Sequence, residues 1–274
     1  MINNLDYICL YDMDSTLYHS VYRIVSISDM KALLRAYPDL PYSERKQKAF
    51  EYIIDESFSR MGEKALKVLD AIEQTGIQLI GYEYFITTCD KSIRKAISPD
   101  YKAKRPKNKY VSAIRTKLIN EGTVNFSSEY EADDLIFDRA KELKSEGKNY
   151  IIVSIDKDLK QIEGFHYDYY PIKELNTETG LKEFIRHKGL SYTSEFESRY
   201  MIAKQMLSGD SGDGVQGLKG IGEKRAEKIL EGKKSHFTLL LAVIRTYVKH
   251  YDSEYLEHLM CNFRLLKLGK DLEL

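Results

Sequence analysis

No apolar run in these 274 residues reaches the roughly 18 to 20 positions that a membrane-spanning helix requires, so no membrane association is expected. The opening residues, MINNLDYICLYD, lack the basic start and long apolar stretch of a secretion signal, which makes the cytoplasm the default compartment. Cysteine is scarce and scattered. Cys9, Cys89 and Cys261 show no CxxC spacing, so neither a disulfide framework nor a zinc site is expected. Cys9 and Cys89 lie in apolar, strand-like runs and read as core. Net charge is missing too: 42 basic residues stand against 42 acidic ones, which removes the general support for nucleic-acid binding that a basic chain would have. The placement of the charges has to decide. There is no internal repeat and no low-complexity tract, and the length suffices for a sizeable core in one large domain or two small ones.

What is present is an alternation of strands and helices. Ile8 to Tyr11, Tyr84 to Cys89 and Tyr150 to Ser154 are short apolar runs of the kind buried in parallel sheets. The first two stop at Asp12 and Asp90, and the third leads into Ile155-Asp156-Lys157-Asp158. Between them, Glu63 to Gln74 and Glu129 to Ser145 read as helices, with Gly76 and Gly147 placed as C-terminal caps. The expected fold is α/β, a central, mostly parallel sheet flanked by helices. Ligands of such sheets bind beyond the carboxyl ends of the strands, where these aspartates fall. After about Leu181 the strand signal fades, so residues 1–180 are expected to form the α/β core and 181–274 a helical subdomain. Residues 35–60 are polar and helical in pattern, without a readable role.

The chemistry is carried by acids. Glu131, Asp133 and Asp134 open a helix; Asp156 and Asp158 follow a strand; Asp210 and Asp213 lie in a glycine-rich turn; Asp12 and Asp90 end strands. Any one of these carboxylates would ordinarily be a solvated face or an N-cap. Gathered in one pocket, so many like charges need cations. Hard oxygen donors select Mg²⁺ or Mn²⁺ over zinc, and the matching chemistry is phosphodiester hydrolysis with two ions about 4 Å apart.

In order along the chain, Asp12, then Asp90 ahead of Arg94 and Tyr101-Lys102-Ala103-Lys104-Arg105, then EADD, SIDKDL and GDSGDGVQGLKGIGEKRA resemble the 5′ nuclease family of phage flap endonucleases, phage ribonucleases H and the 5′ nuclease domain of bacterial DNA polymerase I. The resemblance implies a PIN-like core with an arch-like segment at 91–122 and a helix-hairpin-helix at about 215–231. It implies that Asp12, Asp90, Glu131, Asp133, Asp134, Asp156, Asp158, Asp210 and Asp213 hold metal, directly or through water. Lys102 and Arg105 would contact the scissile phosphate. Arg94, Tyr101, Lys219, Gly220, Gly222, Lys224 and Arg225 would contact DNA: Tyr101 by stacking on a terminal base, the glycines by bringing backbone amides to a phosphate at a helix N-terminus. K⁺ is a further expected ligand of the hairpin. Expected partners are branched or nicked DNA with a 5′ flap and RNA paired to DNA, in primer removal and repair, with the protein acting alone as a monomer.

The chain also departs from the family. Met13 stands where glycine is usual and His19 where an arginine is, and the stretch from Tyr101 to Glu131 is shorter than the family's arch. Pro106 to Glu121 has room for one helix, with Val111, Ile114, Leu118 and Ile119 as an apolar stripe, which predicts a low rim rather than a closed arch. Two rival readings remain open here. Asp12-Met13-Asp14-Ser15-Thr16 also fits the DxDxT pattern of haloacid-dehalogenase-like phosphatases, with Asp12 as nucleophile and Asp14 as acid/base, though that leaves YKAKR and the glycine-rich hairpin unexplained. The other rival is a nucleic-acid-binding protein with a decayed site, against which stands the occupation of every acidic position.

Overall fold

In β1 (Asp6–Asp12) side chains alternate between two faces: Cys9 and Tyr11 join one buried cluster, Leu10 another. The computed structural model describes residues 5–88, 92–169, 172–175, 182–185 and 189–271. β1 is the second strand of a five-stranded sheet in the order β2-β1-β3-β4-β7, with β2 at Gln78–Phe85, β3 at Asn149–Val153, β4 at Gly164–Tyr167 and β7 at Leu190–Thr193. The first four strands are parallel and β7 runs antiparallel to β4. In register, Asp12 lies opposite Phe85 and Tyr11 opposite Val153, so β1, β2 and β3 end together.

One face of the sheet is covered by α1 (Met13–Ile27), α3 (Tyr42–Glu73) and α5 (Lys109–Asn120), through Leu17, Val21, Leu69, Ile72, Val111, Ile114 and Leu118. The other is covered by α6 (Ala132–Ser145), through Ile136, Ala140 and Leu143. Short helices α2 (Met30–Arg35) and α4 (Ile93–Ile97) lie in the connections. β5 (Ile172–Leu175) and β6 (Lys182–Ile185) form a separate antiparallel pair. The helical part comprises α7 (Glu195–Ser208), α8 (Glu223–Leu230), α9 (His236–Tyr251) and α10 (Tyr255–Leu266) around Met206, Leu207, Val243 and Tyr247, with the two-residue strands β8 (Gly209–Asp210) and β9 (Val215–Gln216) between α7 and α8.

Several expectations shift. The second strand lies at 78–85 rather than 84–89, because the seven residues of β1 pair with Gln78 to Phe85; Cys89 and Asp90 fall outside the described residues. The helix read at 63–74 is the end of a 32-residue helix that absorbs much of the unassigned stretch 35–60. The boundary drawn at 180 cuts the sheet, since β7 lies beyond it and pairs with β4; four residues, Leu190 to Thr193, carry too little apolar periodicity to be seen in sequence. Gly76 and Gly147 do follow the helices they were expected to end, at φ +88° and +70°, where a side chain would be strained. Among the described residues no helix is long and apolar enough to cross a membrane.

Candidate active site at the carboxyl ends of the strands

Because β1, β2 and β3 run parallel, one edge of the sheet collects their carboxyl ends, and a cleft of about 590 Å³ opens there. Asp12, Asp14, His19, Lys102, Arg105, Arg115, Glu131, Asp133 and Asp156 line it. Asp12 caps α1 by accepting from the Asp14 backbone at 3.0 Å, and its other oxygen accepts from Ser154 Oγ at 2.8 Å. Asp156 caps the short 3₁₀ turn Lys157–Gln161 by accepting from Asp158 N at 2.9 Å. Local capping thus fixes these carboxylates beside one another. Burial, then repulsion from Asp14 and Asp156, pushes Asp12 up to about 7. Burial with repulsion from Asp156 and Asp12 raises Asp133 well above its ordinary value. Asp158 is likewise raised to about 7, by burial and by Asp156 and Asp210.

Basic residues meet the acids from the opposite wall. Lys102 donates to Glu131 Oε2 at 2.5 Å and stands 3.4 Å from Asp213, while Arg105 is 2.6 Å from Asp213 Oδ1. The backbone joins them as well, since Lys102 N donates to Asp213 O at 2.8 Å. Asp210 folds the turn by accepting from Gly212 N and Asp213 N, with Lys157 at 3.4 Å. Lys219, Gly220, Gly222, Lys224 and Arg225 are exposed around the start of α8, where Gly222 is the N-cap. Leu218 and Ile221 pack beneath them, which leaves the N-terminus of α8 open to an anion.

Three expected roles change. Tyr101 is 2% exposed, packed in the helical core with its hydroxyl donating to Glu131 and Asp213, so its ring has no open face for a terminal base. Arg94, expected on DNA, is buried in a two-bond pair with Asp134 at 2.6 Å per bond. Asp134, expected to hold metal, has both oxygens fully engaged: one accepts from Arg94 and Gly269 N, the other from Arg94 and Glu131 N. A carboxylate saturated in this way is a structural cap of α6. Asp90 lies outside the described residues.

Arg115 is the residue that sequence reading missed. It reaches from α5 to Asp14 Oδ1 at 2.5 Å, and Asp14 Oδ2 accepts from Thr87 N at 3.0 Å. No sequence pattern links positions 101 residues apart.

As they lie, no three Asp, Glu, His or Cys side chains among the described residues converge closely enough to hold one ion. The donor set is nonetheless all carboxylate oxygen, and the upward displacement of Asp12, Asp133 and Asp158 is the imbalance that a hard cation relieves. Lys102 and Arg105 meanwhile draw Glu131 and Asp213 onto themselves. The residues fit a divalent ion.

The chain is similar to known proteins in sequence and in fold. Residues 65–188 match the family described as 5′-3′ exonuclease, N-terminal resolvase-like domain. The chain is 30% identical over 188 residues to DNA polymerase I of Rhizobium leguminosarum, covering 66% of this chain and 17% of that protein. It is 31% identical over 157 residues to the flap endonuclease Xni of Shewanella amazonensis, covering 53% of this chain and 56% of that one. The chain therefore spans about half the length of that flap endonuclease and a small part of the polymerase. A solved structure of T5 5′-exonuclease with divalent metal ions, there zinc, has the same fold: TM-score 0.52 over 97% of this chain and 95% of that one, at 15% identity. Residues 65–188 are thus similar to the N-terminal resolvase-like domain of 5′-3′ exonucleases, and longer stretches of the chain are similar to a DNA polymerase I and a flap endonuclease.

Proposed function

We propose that this protein is a divalent-metal-dependent 5′ nuclease that hydrolyses phosphodiester bonds of DNA, or of RNA paired to DNA, near 5′ ends, including those of flaps. The observation that carries the reading is the single cleft that Asp12, Asp133 and Asp156 line together with Lys102 and Arg105, the acids near enough to raise Asp133 by repulsion. Asp12, Asp133, Asp156 and Asp158 would hold Mg²⁺ or Mn²⁺, with Glu131, Asp210 and Asp213 joining them directly or through water. Bound there, such ions supply an activated water and a counter-charge for the leaving oxygen. Lys102 and Arg105 bind the scissile phosphate as it displaces Glu131 and Asp213 from them, so charge developing on the phosphate meets cations already in place. The exposed start of α8, with Lys219, Lys224 and Arg225, holds the duplex by its backbone. K⁺ would use carbonyl oxygens of the same turn, of which Gly220 O already accepts from Arg225 at 3.2 Å. The proposed setting is primer removal and repair in the cytoplasm, by a monomer.

The phosphatase alternative is disfavoured by Asp14, which is paired with Arg115 and bonded to Thr87 N and so is not free to serve as acid/base. The test is a 5′-flap duplex incubated with Mg²⁺, with and without EDTA, in parallel with a small phosphomonoester. Cutting of the flap that EDTA abolishes is expected. Phosphate release from the monoester with an intact flap would reverse the reading.

A further inference from the structure

Two residues of the acidic centre are held from behind by groups that do not line the cleft. Asp158 Oδ1 accepts from Gln205 Nε2 at 2.7 Å. Gln205 Oε1 accepts from Gln161 Nε2 at 2.8 Å. Gln161 then meets the end of α10 and the residues just beyond it: its nitrogen donates to Leu266 O at 2.8 Å and its oxygen accepts from Leu268 N at 3.2 Å. Both glutamines are buried, at 7% and 3% exposure.

A glutamine amide has a donor end and an acceptor end of nearly the same shape, so its orientation is set by its neighbours. A backbone N–H can only donate and a backbone carbonyl can only accept. Leu268 N and Leu266 O therefore fix which way the Gln161 amide faces, and Gln161 fixes Gln205. The relay ends with an N–H aimed at Asp158, which favours the charged carboxylate that burial and its acidic neighbours oppose.

The alternate residues of the same stretch, Lys267 and Gly269, reach a second carboxylate by another route. Gly269 N donates to Asp134 Oδ1 at 3.0 Å, and Lys267 O accepts from Arg94 at 2.8 Å. Asp134 accepts from Glu131 N at 3.1 Å and so fixes the first turn of α6, from which the Glu131 side chain reaches Lys102. Gly269 has φ +98°, and a Cβ there would stand 2.6 Å from Phe137 and 3.0 Å from Asp138. Only glycine can bring its backbone this close.

We propose that Leu266 to Gly269 form a strap that positions the acidic centre, aiming Asp158 through Gln161 and Gln205 and aiming Glu131 through Arg94 and Asp134. The proposal rests on the reading of that centre as a cation site. None of the strap or relay residues touches substrate; they are positioning residues, and partners behind a ligand govern how well it takes a metal.

The test is Mn²⁺ affinity, measured from the loss of the free-ion EPR signal, alongside flap cleavage and thermal melting. Gln205→Met keeps the shape and removes the last donor; it should weaken Mn²⁺ binding by about tenfold or more. Gln161→Leu should weaken it less, and should add nothing in the Gln205→Met background, since both act along one line. Gly269→Ala should weaken it by about tenfold as well, through both routes at once. If Gly269→Ala does not fold, the two glutamine variants still decide. Mn²⁺ affinity within about twofold of the parent in Gln205→Met, with only the melting temperature lowered, would overturn the proposal. So would full additivity of the two glutamine changes. A parent protein that binds Mn²⁺ but cuts no DNA would end the nuclease reading and leave this measurement intact.

Discussion

Without metal, the acidic centre should make the protein less stable as pH rises, and Asp12 is where that effect can be isolated. Its folded-state value is about 7 against an ordinary 3.8, with burial the main cause. A carboxyl group raised on folding holds its proton longer in the folded state, so the folded protein binds more protons than the unfolded chain between those values. Stability then falls with rising pH across that window and is level above pH 7. From pH 5.5 to pH 7, at about 1.4 kcal/mol per pH unit, the loss is roughly 2 kcal/mol. For a chain of this size that corresponds to about 4 to 8 °C in melting temperature. His166 acts the other way: buried and lowered to about 4, it contributes stability that grows from pH 4 to 6.5. The measurement is therefore a difference between the parent and Asp12→Asn, which share His166. In EDTA, calorimetry at pH 5.5 and pH 8 should show the parent losing about 4 to 8 °C relative to the variant. Mg²⁺ at a hundred times its dissociation constant should return about 2.7 kcal/mol to the parent at pH 8 and much less to the variant. A difference that does not change with pH would refute the claim that the folded centre is strained by its own charge.

Three further outcomes are expected. Asp156→Asn and Asp158→Asn should abolish cutting while largely preserving DNA binding in a mobility-shift assay, because a lost anionic ligand weakens metal capture and also lessens repulsion of the phosphate backbone; near-normal turnover at low millimolar Mg²⁺ would remove both from the metal site. Lys102→Ala and Arg105→Ala should lower kcat more than they raise KM, whereas Lys219→Ala and Lys224→Ala should weaken duplex binding and flatten its salt dependence by about one unit of slope per lost contact; a change confined to KM would make the first pair ordinary backbone contacts. With α5 lying against the body as a low rim, a 5′ flap capped by streptavidin before enzyme is added should be cut at a rate close to that of the free flap under single-turnover conditions; a loss of about tenfold or more would show that the 5′ end must thread.

The parts of this molecule that were legible in its sequence are those governed by local periodicity and capping. Strands at Ile8 and Tyr150, the helix opened by Glu131 and the stripe of Val111, Ile114 and Leu118 are each visible within about a dozen residues, where the repeat of 2 or 3.6 shows itself. The acids that cap α1 and the 3₁₀ turn, Asp12 and Asp156, were legible for the same reason. What could not be read is which partner a charged or aromatic side chain finds across the fold. Arg94 and Tyr101 stand close to Lys102 and Arg105 in sequence, yet Asp134 lies 40 residues from the one and Asp213 lies 112 from the other. Nothing local distinguishes an arginine bound for a buried carboxylate from one left for a phosphate. β7 was hidden because a four-residue edge strand takes its identity from pairing with β4 rather than from its own pattern.

Lys102 is among the residues that join the two halves of the fold. Lys102, at φ +51°, donates its backbone N–H to Asp213 beside the helical bundle and its ammonium to Glu131 at the head of α6. Tyr101 next to it is packed in the bundle's core. The sheet and the bundle have separate apolar clusters, and each could in principle melt at its own temperature. With this residue bonded to both, separating them breaks the Lys102–Glu131 ion pair together with the hydrogen bonds that Gln161 and Asp134 make to the strap. The two clusters are thereby made a single cooperative unit, and heating should take them apart in one transition rather than two.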